Sequence, residues 1–175
     1  MPTRILLEGR PGVGKTTCVR RLAALLRTRD VAGFTTEEIR QAGARVGFAL
    51  ETLAGERAVL AHTGFPGPTR VGRYGVDLSV MERLALPAVQ PTAAPRWLVL
   101  IDELGRMELG CTPFRDAVQA LFDTSVDVVA AVHARHDPFT DALKQRPDVE
   151  VIHLTPANRD GLPEALAARL EHRAP

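Results

Sequence analysis

Short apolar runs alternate with amphipathic stretches along the chain, and this alternation sets out the elements. Residues 4–8 (Arg-Ile-Leu-Leu-Glu) are an apolar run too brief for a helix and predict a buried strand. Cys18, Val19, Leu22, Leu25 and Leu26 follow at helical spacing, with Arg20, Arg21, Arg27 and Arg29 on a solvated opposite face. Residues 31–36 read as a second strand that runs into 37–40, and 41–44 (Gln-Ala-Gly-Ala) as a turn. Val46, Phe48 and Leu50 alternate with Gly47, Ala49 and Glu51, the pattern of a half-buried strand, and after a turn at 53–56 another strand covers 57–62. Two short turns between such runs predict antiparallel hairpins.

Residues 63–75 are dense in Gly and Pro and predict a long irregular loop of the kind that serves function. Asp77 can cap a helix reaching about Leu86, after which Pro87, Pro91 and Pro95 break the chain. Residues 96–103 form the most apolar strand, opened by Arg96 and a core Trp97 and ended by two acids. Phe114, Val118, Leu121 and Phe122 mark a helix, 126–132 a buried strand, 138–144 a helix and 149–154 a last strand. A C-terminal helix shows Leu162, Leu166 and Leu170, with Pro163 tolerable in its first turn. Strands alternating with helices predict an α/β fold of three layers: a mainly parallel sheet flanked by helices, with an antiparallel hairpin extension.

Between the first strand and the first helix lies Gly9-Arg10-Pro11-Gly12-Val13-Gly14-Lys15-Thr16, followed by Thr17. It fits G-x-x-x-x-G-K-[ST] in the order strand, glycine loop, helix, the context that a phosphate-cradling loop requires. The amides from about Gly12 to Thr17 point at an anion, aided by the positive end of the helix. Lys15 is placed to reach the β- and γ-phosphates, and the Thr16 hydroxyl to ligate Mg²⁺. Binding sites in open parallel sheets lie beyond the carboxyl ends of the strands, where Asp102 and Glu103 also fall. Asp102 is expected to share the Mg²⁺ with Thr16, and Glu103 to orient and deprotonate an attacking water. A carboxylate beside the metal aspartate favours hydrolysis over transfer to an acceptor, since a kinase excludes water.

The 175 residues suit one domain spanning 1–175. A hydrophobic share of 45% and a charged share of 25% are those of an ordinary folded protein. A net charge of +1 gives no bulk attraction to nucleic acid or an anionic membrane. No apolar run approaches the ~20 residues of a membrane span, and no signal peptide fits ahead of the phosphate loop. Cys18 and Cys111 suggest no disulfide or metal framework, so reduced thiols in a cytoplasmic monomer are expected.

The chain resembles the THEP-type nucleoside-triphosphatases, a P-loop family that includes the cancer-related nucleoside-triphosphatase. The resemblance rests on the phosphate loop at 9–17, on 33–40 (Gly-Phe-Thr-Thr-Glu-Glu-Ile-Arg), 45–48, 72–77 (Gly-Arg-Tyr-Gly-Val-Asp), 101–109 (Ile-Asp-Glu-Leu-Gly-Arg-Met-Glu-Leu) and 155–160. It implies slow Mg²⁺-dependent hydrolysis of several nucleoside triphosphates with little choice of base, Lys15, Thr16, Asp102 and Glu103 keeping the roles above. It also implies that another strand separates the phosphate-loop strand from the Asp-Glu strand. The pattern departs at 130–135 (Ala-Ala-Val-His-Ala-Arg), where the family usually carries a Thr-x-Pro-like element, and at Arg106, where it commonly has lysine. A nucleotide or small-molecule kinase, and a nucleotide-dependent switch linked to nucleic-acid modification, are the alternatives.

Further candidates flank this core. Arg73 could clamp developing charge and Arg106 could stabilise the γ-phosphate; each is otherwise a solvated arginine. Asn158 and Arg159 could touch the base, or serve helix-end hydrogen bonding. His133, Arg135 and His136 follow a strand end on the binding edge. Glu108 is expected to pair with a nearby basic group, and Glu37 with Arg40.

Overall fold

The computed structural model describes residues 1–26, 30–90 and 98–172. In chain order its elements are β1 (Arg4–Gly9), α1 (Lys15–Leu25), β2 (Val31–Gln41), β3 (Ala44–Thr52), β4 (Arg57–His62), β5 (Arg70–Val71) and β6 (Tyr74–Val76). There follow α2 (Leu78–Val80), a π-helical stretch (Met81–Ala85), α3 (Leu86–Val89), β7 (Leu98–Leu104), a 3₁₀ turn (Glu108–Gly110), α4 (Thr112–Leu121), β8 (Asp127–His133), α5 (Pro138–Lys144), β9 (Glu150–His153) and α6 (Leu162–Glu171).

The strands join one sheet in the order β5-β6-β4-β3-β2-β7-β8-β1-β9. Strands β2, β7, β8, β1 and β9 run parallel, and β3 to β6 extend the sheet antiparallel beyond β2. β8 lies between β1 and β7, so one strand separates the phosphate-loop strand from the Asp-Glu strand, as the resemblance implied.

Alternation along the central strands divides the core in two, because successive side chains leave opposite faces. Ile5, Leu7, Leu98 and Leu100 pack beneath α1 and α6, against Cys18, Val19, Leu22, Leu166 and Leu170. Leu6, Val99 and Ile101 face the other way, towards Met81, Ala85, Phe114, Val118 and Leu121. Fully burying a side chain of this size contributes roughly 1.5–3 kcal/mol, so each face fixes its helices firmly. The central strand ends, and the residues they carry, are therefore rigidly placed.

Several expectations need correction. The stretch 63–75 is not wholly irregular: β5 and β6 pair as a small hairpin, turned by Gly72 at φ +58°. Gly75 admits the Phe65 carbonyl, which would lie 2.4 Å from any Cβ there. The helix from Asp77 runs past Pro87 to Val89, since the wider π turn ahead of α3 accommodates a proline at its start. Asp77 itself caps as expected, accepting the Ser79 amide at 3.0 Å. Leu25 is 38% exposed rather than core, and Arg20 is not free on a solvated face but donates to the Thr36 carbonyl at 3.1 Å. Glu37 pairs with Arg57 of β4, reaching past β3 at 2.7 Å, and Arg40 pairs with Glu38 at 2.7 Å, because residues two apart on a strand share a face whereas Glu37 and Arg40, three apart, point to opposite faces. The expectations on Arg27, Arg29, Pro91, Pro95, Arg96 and Trp97 lie outside the described residues. Among those described, no helix is long and apolar enough to cross a membrane.

Candidate active site

β1 ends at Gly9, the chain crosses Arg10 to Gly14, and α1 begins at Lys15. Gly14 is the N-cap of α1 at φ +112°, a left-handed conformation that a side chain would strain, and no side chain caps the helix. The first-turn amides are thus left for an anion. Lys15, 5% exposed, donates its ammonium to the carbonyls of Gly9 at 2.7 Å and Arg10 at 3.2 Å. The same Nζ stands 3.9 Å from Glu103 Oε2, so loop and acid pair occupy one rim of the sheet.

Asp102 is fully buried at the end of β7. Its Oδ1 accepts the Thr16 hydroxyl at 3.1 Å, and its Oδ2 accepts the Thr36 amide at 3.2 Å. Burial raises the carboxyl to about 6, opposed by the hydrogen bonds from Thr36 and Thr16, while the neighbouring Glu103 charge adds to the rise. Thr36 was legible only as part of the 33–40 segment. Its role emerges because β2 continues past its parallel pairing with β7, which ends at Phe34 and Ile101.

Glu103 is half-buried, with Oε2 towards Lys15 and Oε1 on His133 Nε2. Gly105 lies against it without a side chain; a Cβ there would stand 2.9 Å from Glu108 Oε2 and 3.0 Å from Glu103 Oε1. Glu108 therefore lies beside the acid pair and pairs with no basic side chain among the described residues, contrary to expectation. Burial lifts its carboxyl to about 8, and the Glu103 charge adds to the lift. A proton is retained by the folded protein at a pH where the unfolded chain, near 4.5, has released it. The stability linked to Glu108 is thus complete below about 4.5 and is lost as pH rises through about 8. Glu108→Gln should melt close to the parent at pH 5 and gain on it up to pH 8, by on the order of a few kcal/mol, levelling off above. Thermal melts of both proteins across that range check this.

The remaining candidates divide. Arg159 donates to the Val13 carbonyl at 3.3 Å, and its Cδ lies 3.6 Å from where a Gly14 Cβ would stand, so it braces the phosphate loop. Asn158 is occupied in its own turn, accepting the Thr155 amide at 2.8 Å and donating to the His153 carbonyl at 2.9 Å. Arg106 is exposed and makes no ion pair or hydrogen bond among the described residues, two positions beyond the rim. Arg73 is held at the far wing, donating to the Arg45 carbonyl and lying 5.3 Å above the Tyr74 ring. In this arrangement it is not brought to Lys15. Arg135 is exposed and His136 pairs with Asp141, whereas His133 enters the site.

The NTPase family profile matches residues 4–167. The chain belongs to the NTPase family. Nucleoside-triphosphatase THEP1 of Thermotoga petrophila is 43% identical over 159 residues, covering 91% of this chain and 88% of that protein. The same-named protein of Natranaerobius thermophilus is 40% identical, with 98% of each covered. Among solved structures, the crystal structure of THEP1 from Aquifex aeolicus superposes with a TM-score of 0.88 at 36% identity, over 97% of this chain and 99% of that one. The solution structure of a human cancer-related nucleoside triphosphatase gives 0.84 at 33% identity, over 99% of this chain and 100% of that one. Membership places the chain in the nucleoside-triphosphatase class with the P-loop α/β fold of its relatives.

Proposed function

We propose that the chain hydrolyses nucleoside triphosphates to the diphosphate and phosphate, with Mg²⁺, in the cytoplasm. The carrying observation is that Glu103 stands 3.9 Å from the phosphate-loop lysine while the adjacent Asp102 stands 3.1 Å from Thr16. One strand end thus supplies a metal-type acid and a water-type acid to the same phosphate loop. Lys15 and the first-turn amides of α1 bind the β- and γ-phosphates. Thr16 and Asp102 offer hard oxygen donors side by side, and a buried carboxylate suits a divalent cation, so the pair fits Mg²⁺. When bound, that cation neutralises charge on the phosphate oxygens. Glu103, half-buried and anchored at Oε1, orients water with Oε2 and accepts its proton as the oxygen attacks the γ-phosphorus. Arg159 keeps the loop in its cradle shape.

Low base selectivity is part of the same proposal, and the lining of the adjoining cavity supports it. A cavity of about 370 Å³ adjoins the loop, walled by Val13, Ala134, Leu154 and Pro156. Its polar lining is Glu8, engaged by Lys144 at 2.5 Å and His153 at 3.0 Å, together with Arg10 and Thr155, and among the described residues it holds no side-chain amide to pair with both a donor and an acceptor on a base edge. A phosphate-release panel over ATP, GTP, CTP and UTP tests the whole reading. All four should be turned over within about tenfold of one another, and chelation of the metal should stop release. An added acceptor phosphorylated faster than water would replace hydrolysis by a kinase reaction.

A further inference from the structure

We propose that His133 is a positioning residue for Glu103: it ties Oε1 and so leaves Oε2 as the oxygen presented to water. The inference rests on the reading of Glu103 as the water-activating group. β8 reaches this point as a fixed strand, with Val128 to Val132 fully buried. Parallel register sets His133 directly beside Gly9, where the phosphate loop begins, and one strand across from the end of β7. The imidazole thus stands between the two functional strand ends.

Its chemistry is specified by its partner. An ionised carboxylate only accepts, so the Nε2 facing Glu103 Oε1 must carry the hydrogen. Nδ1 is buried and makes no hydrogen bond among the described residues, so the ring's one formed contact is that with Glu103. The backbone beneath the ring is held as well. The His133 carbonyl accepts Lys144 Nζ at 3.0 Å, and Lys144 is itself fixed by Glu8 at 2.5 Å and Asp141 at 3.6 Å. On the far side of the carboxylate Lys15 stands 3.9 Å from Oε2. The two oxygens therefore have different surroundings, one held by a donor and one turned to the loop. Oε1 also faces the space that Gly105 leaves open, on whose other side stands Glu108 Oε2. A carboxylate held in one rotamer spends more of its time aligned for proton transfer than one free to turn.

Steady-state hydrolysis of Mg·ATP by H133A, H133Q, H133N, E103Q and E103Q/H133A, with melting temperatures alongside, tests the assignment. H133A should lower kcat about tenfold with KM changed less than about twofold, because the loss lies in the chemical step and not in nucleotide binding. H133Q, whose side-chain amide can donate from the place of Nε2, should recover most of that loss. H133N, too short to reach Oε1, should behave as alanine does, and it keeps the test available should alanine not fold. The double variant should be no slower than E103Q alone, since the histidine has nothing left to orient. Parental kcat in H133A with E103Q impaired would overturn the inference and leave Glu103 in place. So would a loss confined to KM, a glutamine no better than alanine, or an equal further loss on the E103Q background. Normal turnover by E103Q would instead remove Glu103 from its role, and the inference with it.

Discussion

Replacing Glu103 by glutamine should reduce turnover by about 10²-fold or more while the affinity for Mg-nucleotide stays near that of the parent. Glutamine keeps the length of the side chain and an acceptor oxygen, and loses only the charge and the capacity to take a proton. The groups proposed to bind phosphate and metal, Lys15, Thr16 and Asp102, are left as they are. Glu103 is half-buried at a strand end, so the change removes no core packing and the fold should persist. Single-turnover phosphate release, set against nucleotide binding by fluorescence or calorimetry, separates the two effects. Phosphate release close to the parental rate would take the proton-accepting role away from Glu103.

Lys15→Met should be the more damaging substitution for kcat/KM, by roughly 10³-fold, with much of the loss in nucleotide affinity. The methionine fills the channel of the buried lysine stem but offers no charge to a triphosphate. Three contacts are lost at once: the ammonium's bonds to the Gly9 and Arg10 carbonyls, which shape the loop, and its approach to Glu103. Nucleotide titrations together with steady-state kinetics measure both parts. Affinity equal to the parent's would show that the first-turn amides of α1 alone hold the phosphates.

Much of this arrangement is written in local sequence, and what is not depends on pairing between strands. The period-2 and period-3.6 patterns locate β1, β3, β4, β8, α1, α4, α5 and α6, since each presents one apolar side or a wholly apolar run. The phosphate loop and the Asp-Glu pair are equally legible, because each is contiguous and closes a strand. β5 and β6 are not, as their pairing depends on a turn at Gly72 and on the Phe65 carbonyl approaching Gly75. Glu108 reads as a structural acid paired with a nearby base until the chain bends back through the 3₁₀ turn and buries it beside Glu103. Arg20 reads as a solvated helix residue until β2 brings the Thr36 carbonyl within its reach. His133 follows a strand end in the sequence, but its partner is fixed only when β8 takes the place between β1 and β7.

That intermediate placement of β8 sets the width of the reaction chamber. Neighbouring strands are spaced about 4.8 Å apart, so one intervening strand keeps the backbones of β1 and β7 roughly 10 Å apart, and the side chains of Lys15 and Glu103 close that gap to 3.9 Å. The residue that terminates β8 stands between those two strand ends. Exchanging that single side chain changes what holds Glu103 while the bonds of Lys15 and Thr16 stay as they are. Rate could therefore be retuned from this position among related enzymes while the means of gripping the nucleotide stayed the same.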